Sequence, residues 1–273
     1  MITLRLDSQQ LSAFQRCPRM YMLGYLLDLK IKSVNKPMPF IKGELIALGL
    51  ATYRTARLKK VHYNDAVIEA SQAIEARAIS YKLPKALTIS LIARLLEYLN
   101  IYRDDNFKVI AVEQGFSKII YKDDKHLFVY EGRMDVVGQM ENLGLIWMDD
   151  KTQSVSSKLH SNSNQFLGYT WFLGCRQGII NYISLADKPQ EKFHRDVPFY
   201  DKKLVEEWVE GTIRTFFNLA EQLHKMEFIK QRASCDTKYG PCTYARICDE
   251  TKQPCLTRII QEYYECVKWE PWQ

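Results

Sequence analysis

Apolar residues recur every three or four positions before residue 105 and again after residue 201. This spacing gathers apolar side chains on one face of a helix, so it predicts helices near residues 8–26, 40–60, 64–80, 84–99 and 202–225. Pro18 should break the first of them into two short helices, and Asp7 and Ser8 are its candidate N-caps. Basic residues crowd the end of the second helix, where they suit a solvated face: Arg54, Arg57, Lys59 and Lys60.

Between these helical regions the pattern changes to that of strands. It predicts strands at about 108–121, 127–140, 145–148 and 178–185, a short strand within 192–200, and a helix at 164–175 after a polar loop, 154–163. The turn at residues 141–144 makes a hairpin of the second and third strands. The run from Leu145 to Met148 barely alternates, which is typical of a strand buried on both faces. These elements predict an α/β fold with a central mixed β-sheet flanked by helices.

Charged residues gather where the hairpin ends. Asp149, Asp150 and Lys151 follow the buried run, and Asp135 lies on the preceding strand. Side chains alternate along a strand, so Asp149 and Lys151 should share one face while Asp150 points away. Two carboxylates held close together repel unless a cation lies between them. A metal ion that activates water beside a lysine suits phosphodiester hydrolysis; the alternative is a surface hairpin with a charged end.

Another carboxylate and a helix extend this candidate site. Glu113 stands in the otherwise apolar strand 108–116. If three strands bring Glu113, Asp135 and Asp149 together, they supply oxygen ligands for a divalent metal; otherwise Glu113 is an edge acid satisfied by another group. Gln165 and Tyr169 are four residues apart on a predicted helix and therefore share a face.

Composition limits the class of binding partner and the cellular compartment that we expect. A net charge of +6 and a pI of about 8.8 favour an anionic partner such as nucleic acid. No run of about 18 apolar residues is present, so we expect no membrane-spanning helix. The start, MITLRLDSQQ, lacks a basic region followed by an apolar core, so we expect no secretory signal and a cytoplasmic location. In that reducing compartment cysteines bind metal more readily than they form disulfides.

Cysteines cluster near the end of the chain. Cys235, Cys242, Cys248 and Cys255 are separated by six, five and six residues. Thiolates at this density select zinc or an iron–sulfur cluster. A zinc knuckle normally uses closer pairs of the C-x-x-C kind, and the sequence has none. One hypothesis for the function is therefore a redox or zinc regulatory protein built around this segment.

Several motifs resemble, in the same order, those of one family. They are residues 11–21 (LSAFQRCPRMY), Val112-Glu113, Gly132-Arg133-Met134-Asp135, Asp149-Asp150-Lys151, residues 165–169 (QFLGY) and the cysteines. Together they are similar to motifs of the PD-(D/E)XK nuclease superfamily, in particular its RecB-like branch, which includes CRISPR-associated exonucleases and phage relatives. The resemblance covers most of the chain. Motifs in a shared order are hard to obtain by chance.

The resemblance implies a PD-(D/E)XK restriction-endonuclease-like core and a metal-dependent DNA nuclease, an exonuclease that leaves 5′-phosphates and 3′-hydroxyls. Mg²⁺ or Mn²⁺ would be bound by Glu113, Asp135 and Asp149. Lys151 would position or deprotonate the attacking water, and Gln165 and Tyr169 would orient the substrate.

The resemblance also implies a second metal centre, a [4Fe–4S] cluster of structural role. Its ligands would be Cys17, Cys235, Cys242 and Cys248, with Cys255 competing with Cys17 for the fourth position; zinc is the alternative metal. We expect a single nuclease domain over residues 1–273, made of a helical part (1–105), a catalytic sheet core (106–200) and a C-terminal helix with the cysteine-rich tail (201–273). The expected partner is DNA, single-stranded or with single-stranded ends, and recombination or CRISPR-type proteins are candidate partners in a prokaryotic or phage-infected cell.

One position departs from the family pattern. The family often carries a histidine four residues after the glycine that corresponds to Gly43, and this chain has Ala47 there. The change puts the metal affinity or the rate in doubt, and Glu44 is a candidate substitute ligand. The rival hypothesis is therefore a catalytically weak or inactive protein that uses the same fold to bind DNA or a protein partner.

Overall fold

The chain forms two compact units, each assembled from separate segments. The structure, a computed structural model, describes residues 1–32, 37–141, 143–152, 162–186, 191–237, 240–248, 250 and 253–270. The turn residue Asn142 and most of the predicted polar loop 154–163 lie outside these residues. The first unit comprises Met1–Asn35, Ser117–Gly132 and Lys203–Gln273, and the second comprises Lys36–Phe116 and Arg133–Lys202. The single domain and its three parts stay a prediction.

Helices occupy most of the chain outside its middle. In order they are α1 (Ser8–Arg16), α2 (Pro18–Tyr21), α3 (Met38–Leu58), α4 (Tyr63–Ser80), α5 (Lys85–Ile101), α6 (Asn164–Leu173), α7 (Lys202–Lys225), α8 (Ala245–Cys248) and α9 (Gln253–Tyr263), with a π-helical turn at Met22–Leu26 and a 3₁₀ turn at Arg232–Ser234. None of the helices in the described part of the chain is both long enough and apolar enough to cross a bilayer.

The strands concentrate in the middle of the chain. They are β1 (Ile2–Leu6), β2 (Leu29–Ile31), β3 (Lys108–Lys122), β4 (His126–Met140), β5 (Gly144–Thr152), β6 (Gly178–Ile183), β7 (Phe193–Asp196), β8 (Asp236–Thr237), β9 (Gly240–Pro241) and β10 (Tyr264–Cys266). Two small antiparallel pairs, β2 with β10 and β8 with β9, belong to the first unit.

The pattern of apolar positions predicted most of these elements. The long helices α3, α4, α5 and α7 begin and end within about two residues of their predicted bounds, and the break at Pro18 is confirmed. β5 continues past the apolar run to Thr152, paired with β6, so the charged residues predicted at the end of this strand belong to it. The strand β1 was not predicted, since it pairs in parallel with β4, which is far away in the sequence.

The second unit is built on a mixed sheet in the order β4-β5-β6-β7. β5 is antiparallel to β4, with Met148 opposite Val136, and parallel to β6, with Asp149 opposite Ile180. β7 is antiparallel to β6. Asp149, Asp150 and Lys151 thus lie within a central strand that has a neighbour on each side.

Helices cover both faces of this sheet. On one face Trp147 stacks on Phe166 of α6, with ring centroids 4.8 Å apart, and donates a hydrogen bond to Thr170 Oγ1 at 3.0 Å. On the other face Met148 Sδ lies 3.4 Å from Arg54 Nη2 of α3, and α3, α4 and α5 share one buried apolar cluster. The predicted architecture, a central mixed sheet flanked by helices, is confirmed.

In the first unit, β1 and α1 join through a capping box. The Asp7 carboxylate accepts hydrogen bonds from the backbone N–H groups of Gln9 and Gln10, and the Gln10 side chain accepts one from Asp7 N–H. Trp269, near the end of the chain, donates its indole N–H to the same carboxylate at 2.6 Å. Asp7 is therefore the N-cap of α1, and it also ties down the C-terminal segment.

Replacing Gly178 by alanine should destabilise the protein. Gly178 pairs with Trp147 across β5 and β6, and a Cβ atom there would lie 2.1 Å from the indole ring. Trp147 is completely buried and cannot move aside. We expect the free energy of unfolding to fall by about 1–3 kcal/mol, as in other overpacked cores. Thermal or denaturant unfolding measures this change.

Gly211→Ala provides the matched control. No described atom lies within 4 Å of a Cβ atom at Gly211 in α7, and alanine favours a helix over glycine by about 0.8–1 kcal/mol. This variant should unfold at the wild-type temperature or above it. A Gly178→Ala protein as stable as the wild type would contradict the packing argument.

Candidate active site

The residues predicted to be catalytic on the hairpin lie on one face of the sheet in the second unit. Asp135 belongs to β4, and Asp149 and Lys151 belong to β5. Lys151 Nζ is 2.6 Å from Asp149 Oδ2. Both residues point to the side covered by α6, as the alternation of side chains requires. The structure thus brings two acids and a lysine together.

Asp150 points to the opposite face, where it forms a buried ion pair with Arg54. Arg54 donates to both carboxylate oxygens, including Nη2 to Oδ1 at 3.0 Å, and Asn181 Nδ2 donates to Oδ1 at 2.7 Å. Burial alone would raise the pKa of Asp150, but Arg54 and Asn181 hold it below its ordinary value. The Asp150 main-chain N–H donates to Asp135 Oδ2 at 3.0 Å. This ion pair therefore anchors the strand at the point where it presents the acids.

Gln165 on α6 connects the charged groups. Its Nε2 donates to Asp149 Oδ1 at 3.0 Å and to the Tyr169 hydroxyl at 2.8 Å, while its Oε1 accepts from Lys151 Nζ at 3.2 Å. The Tyr169 hydroxyl donates to the carbonyl of Arg133 at 2.5 Å. Gln165 and Tyr169 share a face of α6, and one side-chain amide holds both the acid and the lysine of β5.

Glu113 reaches the site from β3 through an unusual backbone conformation. Its φ angle of +50° is uncommon for a residue other than glycine and costs free energy, and such strain clusters at functional sites. The carboxylate is partly exposed and pairs with Arg133, Nε to Oε2, at 2.9 Å. Partial burial and the charge of Asp135 raise its pKa. Arg133 therefore holds Glu113 within electrostatic range of Asp135.

The acids of the site repel one another. Burial, followed by the charges of Asp149 and Asp150, raises the pKa of Asp135 to about 8. Burial also raises the pKa of Asp149, even though Lys151 lowers it. Burial would lower the pKa of Lys151, but Asp149 and Asp135 raise it above its ordinary value, so the lysine is an ammonium ion. The arrangement of the acids therefore favours the binding of an additional cation.

The donor set fits a divalent cation by its chemistry. All three candidate ligands are carboxylates, which Mg²⁺ and Mn²⁺ prefer. Asp149 Oδ2 is buried, and the group beside it is the Lys151 ammonium, with Nζ at 2.6 Å. Among the described residues, no three His, Cys, Asp or Glu side chains already converge as a metal-binding group. Lys151 and Arg133 act as the counterions of Asp149 and Glu113 instead.

The start of α3 lies against the end of β5. A Cβ atom at Gly43 would be 2.6 Å from Thr152 Oγ1. Ala47, one helical turn later, is exposed. The Glu44 carboxylate accepts a hydrogen bond from the Tyr81 hydroxyl at 2.8 Å and pairs with Arg77, and its role as a substitute ligand stays a prediction.

Two of the cysteines predicted to bind a cluster meet at one residue of the first unit. The Gln231 main-chain N–H donates to Cys17 Sγ at 3.4 Å, and its carbonyl accepts from Cys235 Sγ at 3.9 Å. The N–H of Cys242 donates to the carbonyl of Cys235 at 2.6 Å, where β8 and β9 pair. These three cysteines therefore come from both ends of the sequence to one region.

The remaining cysteines occupy different positions. Cys248 is the last residue of the short helix α8. Cys255 is exposed on α9. Cys266 donates to the carbonyl of Leu27 at 3.5 Å, and Cys175 belongs to the second unit. All seven lie in described parts of the chain, and none of them forms a disulfide there.

Sequence reasoning missed two arginines of the site. Arg54 was interpreted as part of a solvated basic helix end, which is wrong, because its guanidinium is buried against Asp150. The available signal was its position four residues after the apolar Leu50, on the buried face of α3. Arg133, next to Asp135 in the hairpin motif, gave no signal that it would pair with Glu113.

Asp135→Asn should change how stability depends on pH in metal-free buffer. Asp135 has a pKa of about 8 in the folded protein and an ordinary value of 3.8. Between these values the folded protein keeps a proton that the unfolded chain has released, so stability falls as the pH rises. The variant lacks this loss, and its melting temperature should exceed that of the wild type by a margin that grows from pH 5 to pH 9.

The margin should reach several degrees, since 1 kcal/mol corresponds to about 2–4 °C for a chain of this size. Asp124→Asn, at an exposed turn position, should follow the wild type at every pH. Parallel melting curves for wild type and Asp135→Asn across the range would show that Asp135 is not destabilised by its neighbours.

Comparison with known proteins gives one match of sequence and several of structure. The model of the family described as PD-(D/E)XK nuclease superfamily matches residues 6–249. No curated protein matches the sequence. The crystal structure of SSO0001 has 15% sequence identity, covers 64% of this chain and 84% of that chain, and has a TM-score of 0.30. LHK-Exo in complex with dAMP has 9% identity, covers 67% of this chain and 95% of that chain, and has a TM-score of 0.35.

At these TM-scores neither structure supports a family assignment, so the assignment rests on the match to the family model. That match spans β3, β4, β5 and α6, and it includes Glu113, Asp135, Asp149, Lys151, Gln165 and Tyr169. As the motifs predicted, the chain belongs to the PD-(D/E)XK nuclease superfamily, whose members are metal-dependent nucleases.

Proposed function

We propose that the protein is a Mg²⁺- or Mn²⁺-dependent DNA exonuclease that leaves 5′-phosphates. The observation that carries the proposal is the grouping of Asp135, Asp149 and Lys151 on one face of the sheet, where Gln165 bonds to both Asp149 and Lys151, in a chain of a nuclease superfamily. The net charge of +6 supports a nucleic-acid partner.

Asp135, Asp149 and Glu113 would hold the metal, with a main-chain carbonyl near Asp150 as a further ligand. When bound, Mg²⁺ or Mn²⁺ supplies charge that polarises the phosphodiester and lowers the pKa of a water molecule. Asp135 and Asp149, whose pKa values are raised when no metal is bound, would then be fully ionised. The Asp150–Arg54 pair keeps Asp150 turned away from these ligands.

Lys151 would hold the attacking water and offset negative charge in the transition state. Its pKa is raised by Asp149 and Asp135, and a positioned ammonium ion stabilises the charge that develops on a phosphoryl group. The raised pKa favours this role over removal of a proton from the water. Gln165, which accepts from Lys151 and donates to Asp149, would keep the two groups in register and, with Tyr169, orient the substrate.

Exonuclease action rests on the resemblance to the RecB-like branch. The same resemblance supports a substrate that is single-stranded or has single-stranded ends, a cytoplasmic location, and protein partners of the recombination or CRISPR type. The rival, a binding protein that does not cut, is favoured by one observation: the exposed Ala47 stands where the family often has a histidine.

A [4Fe–4S] cluster of structural role is the second part of the proposal. Gln231 contacts the sulfur atoms of both Cys17 and Cys235, and Cys242 is hydrogen-bonded to Cys235. Cys248 would be the remaining ligand. Cys255 is a weaker candidate than Cys17, because it is exposed on α9. A cluster here would fasten the N-terminal helices to the cysteine-rich tail, and zinc stays the alternative metal.

Lys151→Ala and Asp149→Asn should abolish cleavage of end-labelled DNA. Removing a group that acts on the water or the transition state typically costs about 10²–10⁴-fold in rate. The assay uses anaerobically purified protein, single- and double-stranded DNA, and Mg²⁺ or Mn²⁺; the release of label gives the polarity of digestion. Lys203→Ala is the control, since this lysine is 82% exposed on α7, and it should cleave like the wild type.

Wild-type protein that cuts no DNA with either metal would overturn the exonuclease proposal in favour of the binding protein. Ala47→His then tests the reason. Cleavage that appears only in this variant would show that the missing histidine, rather than the carboxylates and lysine, prevents catalysis.

Anaerobic purification should yield a brown protein with about four iron and four sulfide ions per chain. Cys17→Ser and Cys242→Ser should lose both the colour and the iron, because each removes a thiolate ligand. Cys175→Ser, in the second unit, should retain them. A colourless protein with stoichiometric zinc would contradict the cluster and leave the zinc alternative.

A further inference from the structure

A cavity of about 440 Å³ opens in the second unit beside α3, the end of α5 and the start of β3. Its volume lies within the range of about 300–1,000 Å³ that is typical of sites for small molecules. One acidic side chain, Asp105, lines it, together with six basic ones: Arg54, Arg57, Lys60, Arg103, Lys108 and Arg195. Cationic groups therefore dominate its wall.

Most of this positive charge is not neutralised by the protein. Arg195 pairs with Asp105, and Arg54 pairs with Asp150. The other four basic side chains form no ion pair with an acid in the described ranges of the chain; Arg57 donates instead to a main-chain carbonyl at 2.8 Å. Uncompensated cations in a concave site concentrate anions, and guanidinium groups bind phosphate especially well.

Aromatic rings form another part of the cavity wall, and neighbouring side chains hold them in place. The Arg195 guanidinium lies 3.7 Å from the centroid of the Tyr102 ring and donates to the Tyr98 hydroxyl at 2.9 Å. Phe107 packs so closely on Gly138 that a Cβ atom there would be 2.2 Å from the ring. Preordered rings beside cations are what proteins use to stack nucleic-acid bases next to bound phosphates.

The cavity is separate from the candidate catalytic groups. Met148 lines it, whereas Asp149 and Lys151 leave β5 from the opposite face. Two cavity residues connect it to Asp150, the strand neighbour of these groups: Arg54 pairs with Asp150 directly, and Arg195 donates to Asn181, which donates to Asp150. The catalytic proposal makes no use of the four unpaired cations.

We propose that this cavity binds a nucleoside monophosphate, either free or as the terminal nucleotide of a DNA strand. The phosphate would lie among Arg57, Lys60, Arg103 and Lys108, and the base against the aromatic wall. The proposal does not depend on the nuclease activity, because binding is measured without a divalent metal and hence without cleavage.

Calorimetry of the full-length protein in EDTA tests the proposal with dTMP, thymidine and inorganic phosphate as separate ligands. Charge and stacking act together only in dTMP, so it should bind at least about ten-fold more tightly than either other ligand. The variant with Lys60→Gln and Lys108→Gln should lose about ten-fold or more in dTMP affinity, since two charge-assisted contacts are removed.

The matched control carries Lys59→Gln and Lys85→Gln. Both lysines are exposed and lie outside the cavity wall, so this variant has the same net charge and should bind dTMP like the wild type. Equal weakening in the two double variants would overturn the site in favour of general electrostatic attraction. Inorganic phosphate that binds as tightly as dTMP would overturn the nucleoside part.

Two further comparisons complete the test. A 5′-phosphorylated oligothymidine that binds as tightly as dTMP, while its unphosphorylated form does not, identifies a strand terminus as the ligand; binding of dTMP alone identifies the free nucleotide. Asp149→Asn should keep the wild-type affinity for dTMP even when cleavage is lost. Loss of dTMP binding in this variant would place the ligand at the carboxylates and overturn the separate site.

Discussion

The buried ion pair between Arg54 and Asp150 is the interaction on which the rest of the second unit depends. Two charges in a protein interior are tolerated only when both are fully matched, and removal of one partner typically costs about 3–5 kcal/mol. Here Asn181 supplies the additional hydrogen bond to the carboxylate, and the Asp150 main chain donates to Asp135. The pair thereby connects α3, β4, β5 and β6 at the level of the acids. Neighbouring residues of one strand therefore face opposite sides of the sheet: Asp150 forms the ion pair with Arg54, and Asp149 lies beside Lys151 in the candidate site.

The candidate site keeps its acids together by supplying their counterions. Lys151 contacts Asp149, and Arg133 contacts Glu113, yet no cation among the described residues forms an ion pair with Asp135, whose pKa is raised by burial and by the charges of Asp149 and Asp150 to about 8. Side chains that are grouped for function, such as these acids, commonly lower the stability of the folded protein. The same site is thus compatible with two charge states, one neutralised by the protein and one by an added divalent cation. Gln165 is hydrogen-bonded to both Lys151 and Asp149. A change between these charge states would therefore alter its hydrogen bonds directly.

Local patterns in the sequence predicted whatever depends on local geometry. Periodicity located α3 to α5 and α7, and alternation along β5 predicted that Asp149 and Lys151 share a face because side chains of a strand must alternate. The burial of Arg54 could not be predicted in this way, since its partner Asp150 is 96 residues away. Nor could the pairing of Glu113 with Arg133, which requires the left-handed backbone at Glu113 to aim its side chain. The basic cavity collects residues from α3, α5, β3, β5 and β7, so no single stretch of sequence contains it.

The division of the chain between the two units determines the order in which they can be completed during synthesis. Every residue of the second unit precedes Lys203, whereas the first unit needs both the N-terminal helices and the last segment of the chain. A ribosome releases the N-terminal part first, so the sheet that bears Asp135 and Asp149 can close while α7 is still being made. Cys17, which lies between α1 and α2, is synthesised long before Cys235. The contact of both cysteines with Gln231 can therefore form only after the whole second unit and α7 have been made.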